Sequence, residues 1–356
     1  MSEVRPLFSE YPDFNKSIPC IDLADLPTPV EHTSVILADS CAINNLWIKR
    51  DDKTSSIYGG NKVRKLEFII ADIQKRGIKK VLTFGGIGTN HGVATSLYCQ
   101  QYGIECAILL FDQPVTSTVT SNLKLMSSFG AKLEYKGSLF KTVLHYYFRK
   151  FINKADTYYL HAGGSNIFGC IGFVNAAFEL REQIKLGELD EPDYIYCPVG
   201  SSGTLAGLSL GCQLAGLNSK VVGVRVAPSH LGPIPACTIG TTMPLLKNTY
   251  DYLRKNVANI PVINLNEVEL LDAYYGPGYG DSFPEADAAI KCFESAGIEL
   301  ESTYTAKTAA AALACCQKNP YKRILYWHTY NSADTSESMG VTKFDNIPKE
   351  LDALLR

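Results

Sequence analysis

The chain has 356 residues, 46% hydrophobic and 20% charged, with a formal net charge of −2. That is an ordinary globular mix with room for two domains, and it argues against extensive disorder and against nucleic acid as a partner. No stretch approaches the roughly 20 apolar residues of a membrane helix, and no signal-peptide pattern opens the chain, so a cytoplasmic protein with no membrane partner is expected.

In chain order, the first segment carries turn signals (LPTPVEH) and a short strand, LWIKR, and is expected to pack on a later sheet. Alternating β-rich and helical patterns then predict a strand over 80–85, a helix over 90–103, a strand over 105–111 and a helix over 117–129. Gly130 is the expected helix stop, before a strand over 131–136. A second series has strands over 194–200, 221–227 and 323–329, with helices from 204, over 285–296 and over 305–317. Such alternation is the sequence form of an α/β protein with mainly parallel sheets. The 11 cysteines contain no Cys-x-x-Cys and read as buried small hydrophobes. The six histidines are scattered without ligand spacing, so no metal is expected.

Four segments could carry chemistry. Gly59-Gly60-Asn61-Lys62-Val63-Arg64-Lys65 leaves space around an amine, although alone it is also a turn with a solvated lysine. Gly85-Gly86-Ile87-Gly88-Thr89-Asn90-His91 lies between a strand and a helix, where free N–H groups bind anions; Thr89 or Asn90 could equally be a helix cap, and His91 a packed residue. Gly200-Ser201-Ser202-Gly203-Thr204 repeats that arrangement with added hydroxyls. It has neither the Gly-Lys-Ser/Thr of a P-loop nor Gly-x-Gly-x-x-Gly, so a phosphate monoester suits it better than a dinucleotide, although it could also be a tight β–α turn with a Ser cap. The last group is Tyr274–Gly280, Thr303–Lys307 and His328–Asn331, whose tyrosines could meet a ligand or simply pack.

Together and in this order, the segments resemble the pyridoxal-phosphate-dependent family that contains D-cysteine desulfhydrase and 1-aminocyclopropane-1-carboxylate (ACC) deaminase. The string IKRDD…GGNKVRKLEF carries most of the resemblance, supported by TNH, HAGGSNIFGCIGF, VGSSGTLAGL, GYG, YTAK and HT. The resemblance implies a fold-type II enzyme, similar to tryptophan synthase β, with a large domain over 1–64 plus 166–356 and a small one over 65–165. Pyridoxal 5′-phosphate would lie between them, and a homodimer is expected. By the same resemblance, Lys62 would be the Schiff-base lysine and then the base at Cα. Asn90 would bond the cofactor's phenolic oxygen; Thr89, Asn90 and His91 would hold the substrate carboxylate. Gly200, Ser201, Ser202, Gly203 and Thr204 would cradle the phosphate, Tyr279 and Tyr304 would approach the substrate, and Thr329 would face the pyridine nitrogen.

Three departures from the ACC deaminase pattern select the reaction. Thr305 follows Tyr304 where those enzymes carry Glu, Thr329 stands where they tend to have Leu, and GSSGT is closer to the desulfhydrase loop. The expected reaction is α,β-elimination from a small amino acid such as D-cysteine, giving pyruvate, ammonia and sulfide. Alternatives are ACC deamination, a non-catalytic protein that binds the cofactor, or a packed α/β protein without it. Thr89 in place of the family's serine, and Tyr330 in place of glycine, are expected to reshape the pocket.

Overall fold

The computed structural model describes residues 5–36, 42–153, 156–336 and 346–354. Short helices α1 (Pro6–Glu10) and α2 (Phe14–Ser17) lead to the antiparallel pair β1 (Val30–Ile36) and β2 (Ala42–Arg50). Next come α3 (Asn61–Lys75), β3 (Lys80–Gly86), α4 (Asn90–Gln101), β4 (Glu105–Phe111), α5 (Ser117–Ser128), β5 (Lys132–Gly137), α6 (Leu139–Ile152) and β6 (Thr157–Tyr159). They are followed by α7 (Ile167–Lys185), β7 (Tyr194–Val199), α8 (Gly203–Ala215), β8 (Lys220–Arg225) and a small hairpin of β9 (His230–Leu231) and β10 (Ile234–Pro235). The chain continues through α9 (Ile239–Asn256), β11 (Glu269–Leu271), α10 (Pro284–Ser295), α11 (Thr305–Lys318) and β12 (Ile324–His328).

Two sheets result. Six strands run in the order β1-β2-β12-β7-β8-β11, all parallel except β1; four strands, β5-β4-β3-β6, are parallel throughout. Helices flank both, which is the α/β architecture expected from the alternating pattern. The period-2 rule explains why the large sheet is apolar on both faces. In β12, Leu325 and Trp327 join the core with α7 and α8, while Ile324 and Tyr326 pack with α10 and α11. Cys197 and Tyr196 of β7 divide in the same way. On the small sheet, Ile108 and Leu110 face α4 and α5, whereas Leu82, Phe84 and Leu109 face Tyr146 of α6.

The expected strands and helices occur with ends shifted by a few residues, and β2 does pack on the later sheet. Pattern reading passed over α3, α6, α7 and α9. Helix α7 is buried on nearly every face, so it has no polar stripe to mark its period. The expected 64/65 boundary falls inside α3, which packs along α7. The ten described cysteines are free thiols, mostly buried; Cys41 lies outside the described residues. Among the described residues, no helix is long and apolar enough to cross a membrane.

Candidate active site

The carboxyl ends of β3, β7 and β12 open on one cavity of about 800 Å³, the place where α/β sheets ordinarily bind ligands. Lys62 lies there, in the first turn of α3. Gly60 caps that helix at φ +94°, and a Cβ on it would come within 2.8 Å of the Thr329 carbonyl, so only glycine fits. Backbone bonds from Asn61 N–H to Thr329 O (3.2 Å) and from Gly60 N–H to Asp51 O (2.9 Å) fix the turn against β12 and the end of β2.

Behind the lysine stands a buried ion cluster that accounts for the string IKRDD…GGNKVRK. Arg64 donates to both carboxylate oxygens of Asp51 (2.7 and 2.9 Å) and to Glu179 of α7 (2.9 Å), and Lys49 donates to Glu179 (2.6 Å). The Trp327 indole N–H donates to Asp51 (2.7 Å). Burial alone would raise the Glu179 carboxyl, but Arg64 and Lys49 beside it hold it well below the usual range. Every member thus has a partner, which buried charges require.

Lys62 itself is partnered by a neutral group, the Asn61 side-chain carbonyl (2.8 Å). Burial, reinforced by the charge of Lys65, lowers its amine to about 7. Lys65, one turn on, is lowered to about 8 by burial and donates to the Gly163 carbonyl (3.0 Å). Its ammonium lies 3.1 Å from the position of a Cβ built on Gly203, under the 200–204 loop. In that loop Ser202 adopts φ +67°, an uncommon conformation that gathers successive N–H groups toward one point at the start of α8. Ser165 fixes the loop, donating to Ser201 (2.8 Å) and accepting from Gly203 N–H (3.1 Å). Asn61 donates to the Thr204 hydroxyl (3.2 Å), tying the loop to the lysine turn.

From the small sheet, Thr89 caps α4, its hydroxyl accepting from Gly92 N–H (3.2 Å). Asn90 accepts on its carbonyl from Asn122 (2.7 Å) and the Tyr58 hydroxyl (3.2 Å), which leaves its NH2 as the group it can offer a ligand. His91 lines the wall, with ring nitrogens engaged by Thr83 (2.9 Å) and Thr95 (3.3 Å), and burial holds it neutral. Its side chain is therefore packed, and what it can offer an anion is its backbone N–H. Opposite, the Tyr279 and Tyr304 hydroxyls share a short hydrogen bond. Burial lifts Tyr279 to about 12 and Tyr304 well above its usual value, so both are protonated near neutrality. Thr329 and Tyr330 complete the wall.

All the expected site residues therefore line one cavity. Lys65, inside the quoted GGNKVRKLEF string, was given no role, although its i+3 spacing from Lys62 on a helix puts it on the same face. Glu301 was missed, and no local signal marks it. Its carboxylate accepts from the backbone N–H groups of Thr303, Tyr304 and Thr305 (each 2.8 Å) and also lines the cavity. Lys307, inside the quoted YTAK segment but given no role, donates to the Tyr275 (2.6 Å) and Gly278 (2.8 Å) carbonyls and so holds the loop bearing Tyr279. The donor set, an amine titrating near 7 beside a loop of amides, hydroxyls and a buried cation, fits an aldehyde that carries a phosphate monoester.

The comparisons agree with that chemistry. The family profile described as pyridoxal-phosphate dependent enzyme matches residues 21–329. A Thermotoga maritima protein provisionally named a 1-aminocyclopropane-1-carboxylate deaminase is 31% identical over 317 residues, covering 87% of this chain and 95% of its own. D-cysteine desulfhydrase of Klebsiella pneumoniae is 29% identical over 326 residues, covering 87% of this chain and 93% of its own. The crystal structure of an ACC deaminase homologue superposes with a TM-score of 0.74 at 24% identity, covering 96% of this chain and all of that one. With its sheets, its lysine turn and its profile match in agreement, the chain belongs to the family of pyridoxal-phosphate-dependent enzymes, and pyridoxal 5′-phosphate is its cofactor.

Proposed function

We propose that the protein is a lyase that eliminates the β-substituent of a small amino acid, with D-cysteine yielding pyruvate, ammonia and sulfide. The observation that carries this reading is Lys62: a lysine on the cavity floor, lowered to about 7, facing a phosphate-type loop. Bound there, the cofactor supplies an electron sink for the bond broken at Cα. Ser201 to Thr204 and Lys65 would hold its phosphate, Asn90 its phenolic oxygen through the NH2, and Thr329 the pyridine edge. A hydroxyl at that edge does not force a proton onto the ring nitrogen, so the sink is mild and suits prompt expulsion of a leaving group.

The chain's own groups then divide the work. The substrate carboxylate sits at the α4 N-terminus, where the Thr89 hydroxyl and the first N–H groups of the helix favour an anion. Lys62, neutral in part at pH 7, takes the Cα proton. The Tyr279–Tyr304 pair, kept protonated by burial, gives a proton to the departing thiolate. The relative named D-cysteine desulfhydrase and the threonine at 305 support this choice. A homodimer, a cytoplasmic location and a small domain over 65–165 belong to the same reading.

ACC ring opening is the second reading, favoured by the Glu301 carboxylate on the wall and by the Thermotoga relative. The test is the visible spectrum of the cofactor-loaded protein during addition of D-cysteine, L-cysteine, D-serine and ACC. Pyruvate from D-cysteine, with a Schiff-base band absent in Lys62→Ala, supports the lyase. 2-Oxobutanoate from ACC replaces it with the deaminase.

A further inference from the structure

The cavity does not end at the chemistry. Its exposed lining includes one face of α6, Phe140, Leu144 and Tyr147 at i, i+4 and i+7, together with Leu231, Ile234 and Pro235 of the β9–β10 hairpin. Phe140, Leu144, Tyr147 and Ile234 are exposed by 61%, 58%, 49% and 57%, although large apolar side chains are ordinarily withdrawn from water. None of the six is charged. They are continuous with the chamber that holds Lys62, since the same cavity touches both. At about 800 Å³ it lies toward the upper end of the ~300–1,000 Å³ found for small-molecule sites. A three-carbon amino acid would occupy only part of a cavity of that size.

We propose that this exposed apolar lining binds the apolar substituent of a cysteine thioether, which makes the preferred substrates S-alkyl or S-aryl cysteines rather than cysteine itself. This rests on the elimination reading and names its substrate class. The reaction balances with water as its only co-reactant. The Cα–H bond breaks, its proton passing to Lys62. The Cβ–S bond breaks, its electron pair leaving on sulfur, and the thiolate takes a proton to become a free thiol. The enamine released from the enzyme tautomerises, and water hydrolyses it to pyruvate and ammonium. A neutral substituent is favoured because the carboxylates among the described residues lining the cavity, Asp112, which accepts from the Tyr135 hydroxyl, and Glu301, would repel an anionic group.

The test compares S-benzyl-D-cysteine and S-benzyl-L-cysteine with D- and L-cysteine on the cofactor-loaded protein, for kcat/KM by pyruvate release. Calorimetric binding of the same four compounds to the cofactor-loaded Lys62→Ala variant adds a readout that needs no turnover. The expected result is at least a tenfold preference for one benzyl thioether in both measurements. Leu144→Asp and Ile234→Asp, both at exposed positions, should remove the preference while lowering cysteine turnover far less. Equal kcat/KM and equal binding would overturn the proposal and leave the elimination reading intact. Benzyl-selective binding with no pyruvate from any compound would keep the apolar subsite and overturn the elimination reading, and the thioether-lyase assignment with it. Aspartate variants that change the oligomeric state, with no effect on thioether binding, would assign this face to a second copy of the chain and overturn the proposal.

Discussion

Lys62 is a base only when neutral, and its surroundings decide when that is. An exposed lysine titrates near 10.4 and is almost wholly charged at pH 7; here burial and the neighbouring Lys65 bring the amine to about 7. Protonation below that value removes the nucleophile, so the rate of Schiff-base formation by apoprotein should fall about tenfold per pH unit below 7 and level off above 8. Stopped-flow absorbance with added pyridoxal phosphate measures it; a rate still climbing at pH 9 would mean that the lysine is not lowered. Lys65 makes the second residue-scale case. Its buried ammonium under the 200–204 loop should give the phosphate a charge-assisted bond, a class worth ~1.5–3 kcal/mol. Lys65→Met should therefore weaken cofactor affinity by roughly 10- to 100-fold while the Lys62 band still forms at saturation. Unchanged affinity would leave Lys65 as a packing residue.

At the scale of elements, the lysine turn is held by four side chains from β2, α3, α7 and the turn after β2: Lys49 at the end of β2, Asp51 just after it, Arg64 on α3 and Glu179 on α7. Breaking one member of a buried ion pair costs ~3–5 kcal/mol because the remaining charge is stranded. Glu179→Gln leaves two cations, Lys49 and Arg64, short of an anion, and should lower unfolding stability by about that much in a denaturant titration. A loss under 1 kcal/mol would show that the cluster relaxes or admits water. The cluster also explains what the sequence could and could not reveal. Lys49, Asp51, Lys62 and Arg64 are close along the chain, so a spaced string betrays them together. Glu179 lies 115 residues beyond Arg64, inside a helix buried on nearly all sides, and no local pattern announces it. Glu301 is hidden in the same way, since its carboxylate looks locally like a helix cap and only the fold turns it to the cavity. His91 is the mixed case: it lines the cavity beside a glycine-rich loop, but two threonine hydroxyls take up its ring and leave its backbone N–H as the group it can offer a ligand.

For the whole molecule, the decisive feature is that the cavity draws its wall from both sheets. Lys62, Lys65 and the 200–204 loop stand on the side of the large sheet, while Thr89 and Asn90 begin a helix that follows β3 of the small one. A cofactor gripped from both sides couples their unfolding, and a ligand that binds only the folded protein stabilises it by about 2.7 kcal/mol at 100 times its dissociation constant. At ~2.1 cal/mol/K of unfolding entropy per residue, each kcal/mol moves the midpoint of a 356-residue chain by about 1.3 °C, so pyridoxal phosphate should raise the calorimetric midpoint by roughly 3–4 °C and sharpen the transition. Asn90→Ala supplies the control that separates coupling from simple binding. The substitution loses the bonds to Tyr58 and Asn122 with or without cofactor, so the difference between loaded and empty protein cancels that common cost. What remains is the link from the cofactor to the small sheet. That difference should shrink by about 1–2 °C in Asn90→Ala, with the transition splitting as the small sheet melts first. An undiminished difference would mean that the cofactor is held from the large sheet alone, and Thr89 and the α4 amides would then be left to the substrate's carboxylate.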